Sequence, residues 1–380
     1  MRKTINIGDL GTIITGKTPP TTNKNYYGDY AVFIKPTDIS EHSKYTYETE
    51  EMYSKLAAEK YESSLIPKGA ICVPCIGTIG TKMTMAPCDC YTNQSINSII
   101  CNENYDNEYV YYLIKKFLPG LKAYNLGTAS GREYVSKSNF EKIELVAEQD
   151  KEIQKKIGVI LSRYDSLIEN YQKQIKLLEE AAQRLFKEWF VDLRFPGHEN
   201  TNIIDGVPEG WEKKKVGDIT PIITGKKDAN FGTPDGEYPF FTCSQEPIKA
   251  PSFSFDCAAV LLAGNGDFNV KLYRGRFEAY QRTYVLSPYI DSHLYLLFYT
   301  ISANMTKLAA GSSGSTIKFL TKGMIDGINL NVPNDEILRS FNKKVEPIQS
   351  SRESLQSQLR LLTEARDRLL PKLMSGAIEV

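Results

Sequence analysis

The sequence predicts an α+β chain. It reads as two mixed domains in tandem, each followed by a long helix, with the two helices pairing as an antiparallel coiled coil of pseudo-twofold symmetry. Three observations predict this. Blocks of residues recur in the same order in both halves of the 380-residue chain. Within each block, short β-branched and aromatic runs alternate with Gly, Pro, Asn and Asp turns, which is the signature of strands. A heptad pattern of apolar residues closes each half.

The repeat is explicit. Gly8-Asp9-Leu10 and Ile13-Ile14-Thr15-Gly16-Lys17 return as Gly217-Asp218-Ile219 and Ile222-Ile223-Thr224-Gly225-Lys226, an offset of 209. Asn93-Gln94-Ser95 sits where Tyr280-Gln281-Arg282 sits, and Ile143-Glu144-Leu145 matches Ile328-Asn329-Leu330. Gly127-Thr128-Ala129-Ser130-Gly131 resembles Gly311-Ser312-Ser313-Gly314-Ser315. K-L-L-E-E-A-A-Q-R-L (176 to 185) matches R-L-L-T-E-A-R-D-R-L (360 to 369) at an offset of 184, so the second mixed segment is 25 residues shorter. A shared scaffold with different loops follows.

Strand runs include Y-A-V-F-I-K-P (30–36), A-I-C-V-P-C-I-G (70–77) and C-A-A-V-L-L-A-G (257–264), with helical stretches near 107–118 and 291–303. In the first long helix the apolar seam runs Ile157, Leu161, Tyr164, Ile168, Tyr171, Ile175, Leu178, Ala182, Leu185, Trp189, in alternating steps of four and three. Adding 184 gives Phe341, Val345, Ile348, Arg352, Leu355, Leu359, Leu362, Arg366, Leu369 and Leu373, the same seam with two basic interruptions. Matching seams predict mutual pairing. Pro347 predicts a bend or a late start in the second helix. The divisions expected are a mixed domain over 1–146, a helix within 147–195, a linker over 196–206, a mixed domain over 207–333 and a helix within 334–380.

Composition narrows the function. There are 46 basic and 46 acidic residues, which excludes a globally basic nucleic-acid binder but not local patches. No apolar run spans a membrane and the N-terminus has no secretory pattern, so a cytoplasmic location is expected. Three scattered histidines give little support to histidine chemistry. Cys72-Val-Pro-Cys75 followed by Cys88-Asp-Cys90 raises a zinc alternative, but a C-x-C is a poor second half of such a pattern. Aligned through Gly77 and Gly264, Cys72 and Cys75 correspond to Ala259 and Leu262, which weakens it further. No metal is expected.

Residues 11 to 18, G-T-I-I-T-G-K-T, match a phosphate-binding loop letter for letter. Such a loop needs a helix N-terminus behind it. Here Pro19-Pro20 and a polar, turn-rich stretch follow, and the second copy keeps I-I-T-G-K while losing the first glycine and the metal-binding hydroxyl. A strand-to-loop turn is the better reading, with a P-loop NTPase using Lys17 and Thr18 as the alternative. No nucleophile elbow, histidine triad or methyltransferase motif is present, and Pro234-Asp235 lacks a nuclease partner motif.

The loops after the strands are instead rich in groups that neutralise phosphates and read base edges. In the first copy these are Lys17, Thr18, Lys24, Asn25, Lys35, Thr37, Thr78, Lys82, Asn93, Gln94, Ser95, Ser130 and Arg132. In the second they are Lys226, Lys227, Ser244, Gln245, Asn265, Lys271, Arg274, Arg276, Gln281, Arg282, Ser312, Ser313 and Lys318. The stretch K-L-Y-R-G-R-F-E-A-Y-Q-R (271–282) carries four basic residues among three aromatics.

This layout resembles the specificity subunit of type I restriction-modification systems. The matching features are I-I-T-G-K-T-P with Y-Y-G-D-Y, C-I-G-T-I-G-T-K (75–82), T-N-Q-S-I-N (92–97), V-P-E-G-W (207–211) and L-L-P-K-L-M-S-G (369–376), in order across essentially the whole chain. The resemblance implies two target-recognition domains, each reading one half of a split, asymmetric double-stranded DNA site, and paired helices that set the spacer. It implies docking of two methyltransferase subunits and, where present, two restriction/translocase subunits. It implies no catalysis in this subunit, with S-adenosylmethionine and ATP held by the partners. A coiled-coil scaffold that joins proteins without reading DNA is the remaining alternative.

Overall fold

The computed structural model describes all residues except 78, 128–132 and 313–317. The chain forms two compact units: Met1–Lys173 with Leu355–Val380, and Gln174–Ser354.

In the first unit the main sheet is antiparallel, in the order Gly11–Thr15, Ile96–Cys101, Ile71–Pro74, Thr84–Met85. A second sheet orders Tyr27–Gly28, Met52–Tyr53, Ala31–Ile34 and Tyr91–Thr92, the last pair parallel. Strand Arg2–Asn6 pairs antiparallel with Glu144–Glu148 just before the first long helix. The central strand Ile71–Pro74 is buried on both faces, and its period of two separates its side chains. Ile71 and Val73 enter one core, while Cys72 enters another with Cys90 and Ile96. Cys75, three residues on, lies with Ile71 and Val73. The C-x-x-C therefore does not converge on one point as zinc ligands must. Burial pushes the thiols of Cys72 and Cys75 up to about 12, as expected for inert apolar packing.

Helix Asn107–Phe117 starts on an Asp106 cap, whose carboxylate accepts from Tyr109 N at 3.0 Å. Tyr109 to Ile114 are all buried, so this helix has no solvent face over that turn and a half. It packs with the sheet and with Ile157, Leu161, Leu370, Leu373 and Met374 of the two long helices.

The second unit carries a six-stranded sheet in the order Ile222–Thr224, Thr283–Leu286, Phe255–Ala263, Val270–Ala279, Tyr238–Phe241, Ile248–Ala250. Helix Leu294–Gly311, buried from Leu294 through Ile301, packs in the same core as Val260, Leu262 and Leu272. Glu212–Lys215 pairs with Asn329–Val332 as Arg2–Asn6 pairs with Glu144–Glu148. The following turn is also repeated: Asn6 N donates to Asp9 Oδ2 (2.8 Å) and Lys215 N to Asp218 Oδ2 (2.7 Å). Most of the length difference falls between Thr18 and Asn93, where the offset drops from 209 to 187. There the first copy inserts strand Met52–Tyr53 and helix Lys55–Lys60, whereas the second extends one long hairpin, Phe255–Ala263 with Val270–Ala279.

The long helices run Lys151–Phe186, continued by a π turn Lys187–Val191, and Asp335–Ser375. All twenty seam positions are buried or half-buried. Within the second unit the pairing is antiparallel: Phe190 meets Phe341 edge-on (4.8 Å between ring centres) and Glu179 meets Arg352 (3.4 Å). Within the first unit Asp165 meets Arg366 at 2.6 Å. The two basic interruptions of the second seam are thus met by acids of the first helix. Pro347 gives no late start, because the helix begins twelve residues earlier at Asp335. Burial of Phe341, Val345 and Gln349 around it outweighs the one lost backbone bond.

Candidate nucleic-acid interface

In the first unit the loop after strand Gly11–Thr15 closes on the 92–96 turn. Gly16 N donates to Ile96 O (3.2 Å) and Lys17 N to Thr92 O (2.9 Å). A Cβ on Gly16 would lie 2.1 Å from Thr92 O, so only glycine fits. Asn93 N donates to Ile34 O, Cys75 N to Ser95 O, Val135 N to Cys75 O and Gly77 N to Glu133 O. Five chain segments are thereby tied into one hub at the strand ends.

The second unit repeats five of these six bonds. Gly225 N donates to Thr283 O (3.1 Å), Tyr280 N to Phe241 O (3.0 Å), Gly264 N to Arg282 O (2.8 Å), Leu320 N to Gly264 O (2.8 Å) and Gly266 N to Lys318 O (3.4 Å). A Cβ on Gly225 would lie 2.0 Å from Ala279 O. The correspondence Asn93–Tyr280, Gln94–Gln281, Ser95–Arg282 holds. The alignment of Gly77 with Gly264 does not: Cys75 occupies the Gly264 position and Gly77 that of Gly266, both glycines in the left-handed region (φ 83° and 70°). Sequence offsets missed this because the hairpins differ in length.

The hub also disposes of the phosphate-loop reading. The amides of Gly16 and Lys17, which would cradle a phosphate, are spent on the 92–96 turn. The chain then enters a short 3-10 turn, Lys24–Tyr26, rather than a helix.

The candidate residues divide into three groups. Lys17, Thr18, Asn93, Gln94 and Ser95 gather at the first hub, with the Thr18 hydroxyl donating to Gln94 Oε1 and Tyr53 OH bracing Lys17 O at 2.6 Å. Lys226, Lys227, Gln281, Arg282, Asn265 and Lys318 gather at the second, where Gln281 Nε2 donates to Asp228 Oδ1 (2.7 Å). Ser244 and Gln245 join it through Lys271 Nζ to Ser244 O (2.7 Å) and Gln245 Nε2 to Asp267 Oδ2 (2.6 Å). Lys24, Asn25 and Thr37 are exposed and Lys82 half-exposed, and among the described residues none of their side chains bonds to the hub. Ser312 caps the C-terminal end of helix Leu294–Gly311 through Ala309 O.

Other cations serve the unit's own packing. The stretch 271–282, expected as a loop, lies mostly in strand Val270–Ala279. Tyr273 and Phe277 share a face and a core; Arg274 and Arg276 share the other face. Arg274 binds Glu346 (3.2 Å) and Tyr295 OH (2.9 Å), and Arg276 binds Asp256 (3.1 Å) over the Phe253 ring. Lys35 is held by Glu50 and Glu51 at 2.7 and 3.2 Å. Thr78, Ser130, Arg132 and Ser313 lie outside the described residues.

A buried polar cluster in the first unit was not foreseen. Tyr112 OH donates to Asp165, which Arg366 pairs. Lys44, buried against the rings of Tyr45, Tyr111 and Tyr112, pairs with Glu108. The repeat partner of Tyr112 is Tyr299, which receives a bond from buried Gln349, the repeat partner of Asp165. The position of Arg366 is taken by Ala182. A charged arrangement in one copy is neutral in the other.

The type I restriction modification DNA specificity domain matches residues 2–180 and 208–351. The chain is 27% identical over 406 residues to the type I restriction enzyme MjaIX specificity subunit of Methanocaldococcus jannaschii, covering 98% of this chain and 93% of that protein. It is 35% identical over 176 residues to the EcoDI specificity subunit of Escherichia coli, covering 45% of this chain and 39% of that one. The fold is similar to the crystal structure of a type I restriction-modification S subunit from M. genitalium, with a TM-score of 0.64 at 16% identity over 98% of this chain and 96% of that one. With two copies of one domain, each with its hub of strand-end loops, the chain belongs to the type I restriction-modification DNA specificity family.

Proposed function

We propose that each hub reads one half of a split double-stranded DNA sequence, and that the two halves differ. The carrying observation is one hydrogen-bonded frame presenting different side chains at matching positions, half-buried Asn93, exposed Gln94 and half-buried Ser95 in one copy, and half-buried Tyr280 with exposed Gln281 and Arg282 in the other. The frame fixes the backbone; the exposed groups choose bases. The recognition domains are residues 1–146 and 207–333, and the paired helices set the distance between the half-sites. The chain does this within an assembly of two methyltransferase subunits, joined in some systems by restriction/translocase subunits. S-adenosylmethionine and ATP belong to those partners.

Lys17 and Lys226 stand at equivalent positions beside the two hubs and take phosphates. The test is DNA binding by the chain assembled with its methyltransferase, against a random duplex library and across a salt series. The assembly should select a bipartite, non-palindromic sequence. Lys17→Ala and Lys226→Ala should each weaken binding on all sequences and flatten the salt dependence by about one phosphate contact. Binding without sequence preference contradicts the reading.

A further inference from the structure

Among the cations of the second hub, Arg282 stands apart. Its backbone is held on several sides. Its carbonyl accepts from Gly264 N (2.8 Å) and from the Cys243 thiol (3.6 Å). The residue before it donates from Gln281 N to Lys227 O (2.9 Å), and the residue after it donates from Thr283 Oγ1 to Phe241 O (3.1 Å). Its side chain is exposed, and among the described residues its guanidinium has no hydrogen-bond or ion-pair partner. Of the neighbouring cations, Lys271 binds Ser244 O, Lys227 lies over the Phe231 ring at 4.3 Å, Arg274 binds Glu346 and Arg276 binds Asp256; Lys226 and Lys318 carry an ammonium, which presents no planar fork.

A free fork on a fixed backbone is cheap to dock. Little backbone entropy remains to be lost on binding. A guanidinium presents two parallel donors, and the DNA group that matches them in the major groove is the O6/N7 edge of guanine. Gln281 beside it is also oriented, its amide nitrogen held by Asp228. Its counterpart Gln94 is held by Thr18, so this position is common to both hubs. The next position is not: Ser95 has the same anchored backbone, its carbonyl accepting from Cys75 N (2.7 Å), but carries no fork.

We propose that Arg282 reads a guanine in the second half-site, and that position 95/282 is one point at which the two hubs diverge in sequence choice. This rests on the proposed DNA-reading function and names one of its contacts. The competing role for the same side chain is a phosphate contact, which would carry no sequence information.

The experiment uses the chain assembled with its methyltransferase, selected on a random duplex library at fixed salt, with Arg282→Ala and Arg282→Lys beside the parent. The parent should require a G·C pair at one position of the second half-site. Arg282→Ala should lose that requirement by about tenfold or more and Arg282→Lys should weaken it, both keeping the first half-site unchanged. Arg282→Lys keeps the charge and loses only the fork, so its weaker discrimination separates base reading from charge. An even loss of affinity across sequences in Arg282→Ala, restored by Arg282→Lys, overturns this inference and leaves the proposed function standing. A parent with no sequence preference overturns both.

Discussion

Gly16 and Gly225 are the residues on which each hub closes. Any side chain at either position would overlap a carbonyl oxygen at about 2 Å. Replacing either with alanine must push the loop off its partner strand. Strain of this kind costs about 1–3 kcal/mol. We expect Gly16→Ala to lower the unfolding midpoint and to degrade reading of the first half-site only, as followed by thermal melting and by binding to duplexes altered in one half. A variant that melts and binds like the parent contradicts the assignment. Both glycines were legible in the sequence as part of the repeated I-I-T-G-K. Why they are glycines was not, because the contacting carbonyls lie 76 residues on in one copy and 54 in the other.

Glu169 gives a pH prediction. Burial, then the Asp165 carboxylate one turn away, hold its carboxyl above the usual range, against the opposing effect of Lys173 and Lys44. One of its oxygens is buried without a partner. The folded state thus holds this proton more tightly than the unfolded chain. Its contribution favours folding below the usual carboxylate value and is lost as pH rises through the raised one. Glu169→Gln should raise the melting temperature at neutral pH and remove that part of the pH dependence. An unchanged or lowered midpoint at neutral pH would falsify this assignment.

At the scale of elements, the seams were the most legible feature, because a period of 3.5 residues survives any loop variation. Arg352 and Arg366 looked like interruptions. The structure shows them as seam members, each facing an acid of the other helix. The sequence could not show this, since nothing local links residue 165 to residue 366. The Asp165–Arg366 pair is buried on both sides, so Asp165→Asn strands a guanidinium and should cost about 3–5 kcal/mol, softened by its second contact to Asp367. Replacing both residues with apolar ones of similar size should cost far less. In the other unit Gln349→Ala removes only a neutral bond to Tyr299 and should cost about 1–2 kcal/mol, beyond the packing it loses. Denaturant melts of the three variants decide this. Equal losses in Asp165→Asn and the double variant would contradict the assignment of the loss to a stranded charge.

The misread stretch 271–282 has a similar lesson. Alternating basic and aromatic residues suit a DNA-facing loop, and they equally suit a strand with one face in a core and one outside. Only the pairing with Phe255–Ala263 settles it. Two of its arginines are consumed by Glu346 and Asp256, and the one that remains free, Arg282, lies past the strand end.

At the scale of the whole molecule, function was legible through duplication. One copy of G-T-I-I-T-G-K-T suggests a nucleotide enzyme; two diverged copies show a scaffold turn reused. Zero net charge is consistent with specificity carried by local groups at two hubs rather than by a basic surface. Among the described residues no helix is long and apolar enough to cross a membrane. What duplication could not reveal is which side chains remain free once the fold has used its own charges, because that depends on contacts across the sheet.

The most direct test of the account is to exchange residues 1–146 for the matching domain of another specificity subunit and map the methylated DNA sequence in cells carrying each version. One half-site should change to the donor's while the other half keeps its identity. A methylated sequence unchanged in both halves, or altered in both, would contradict it.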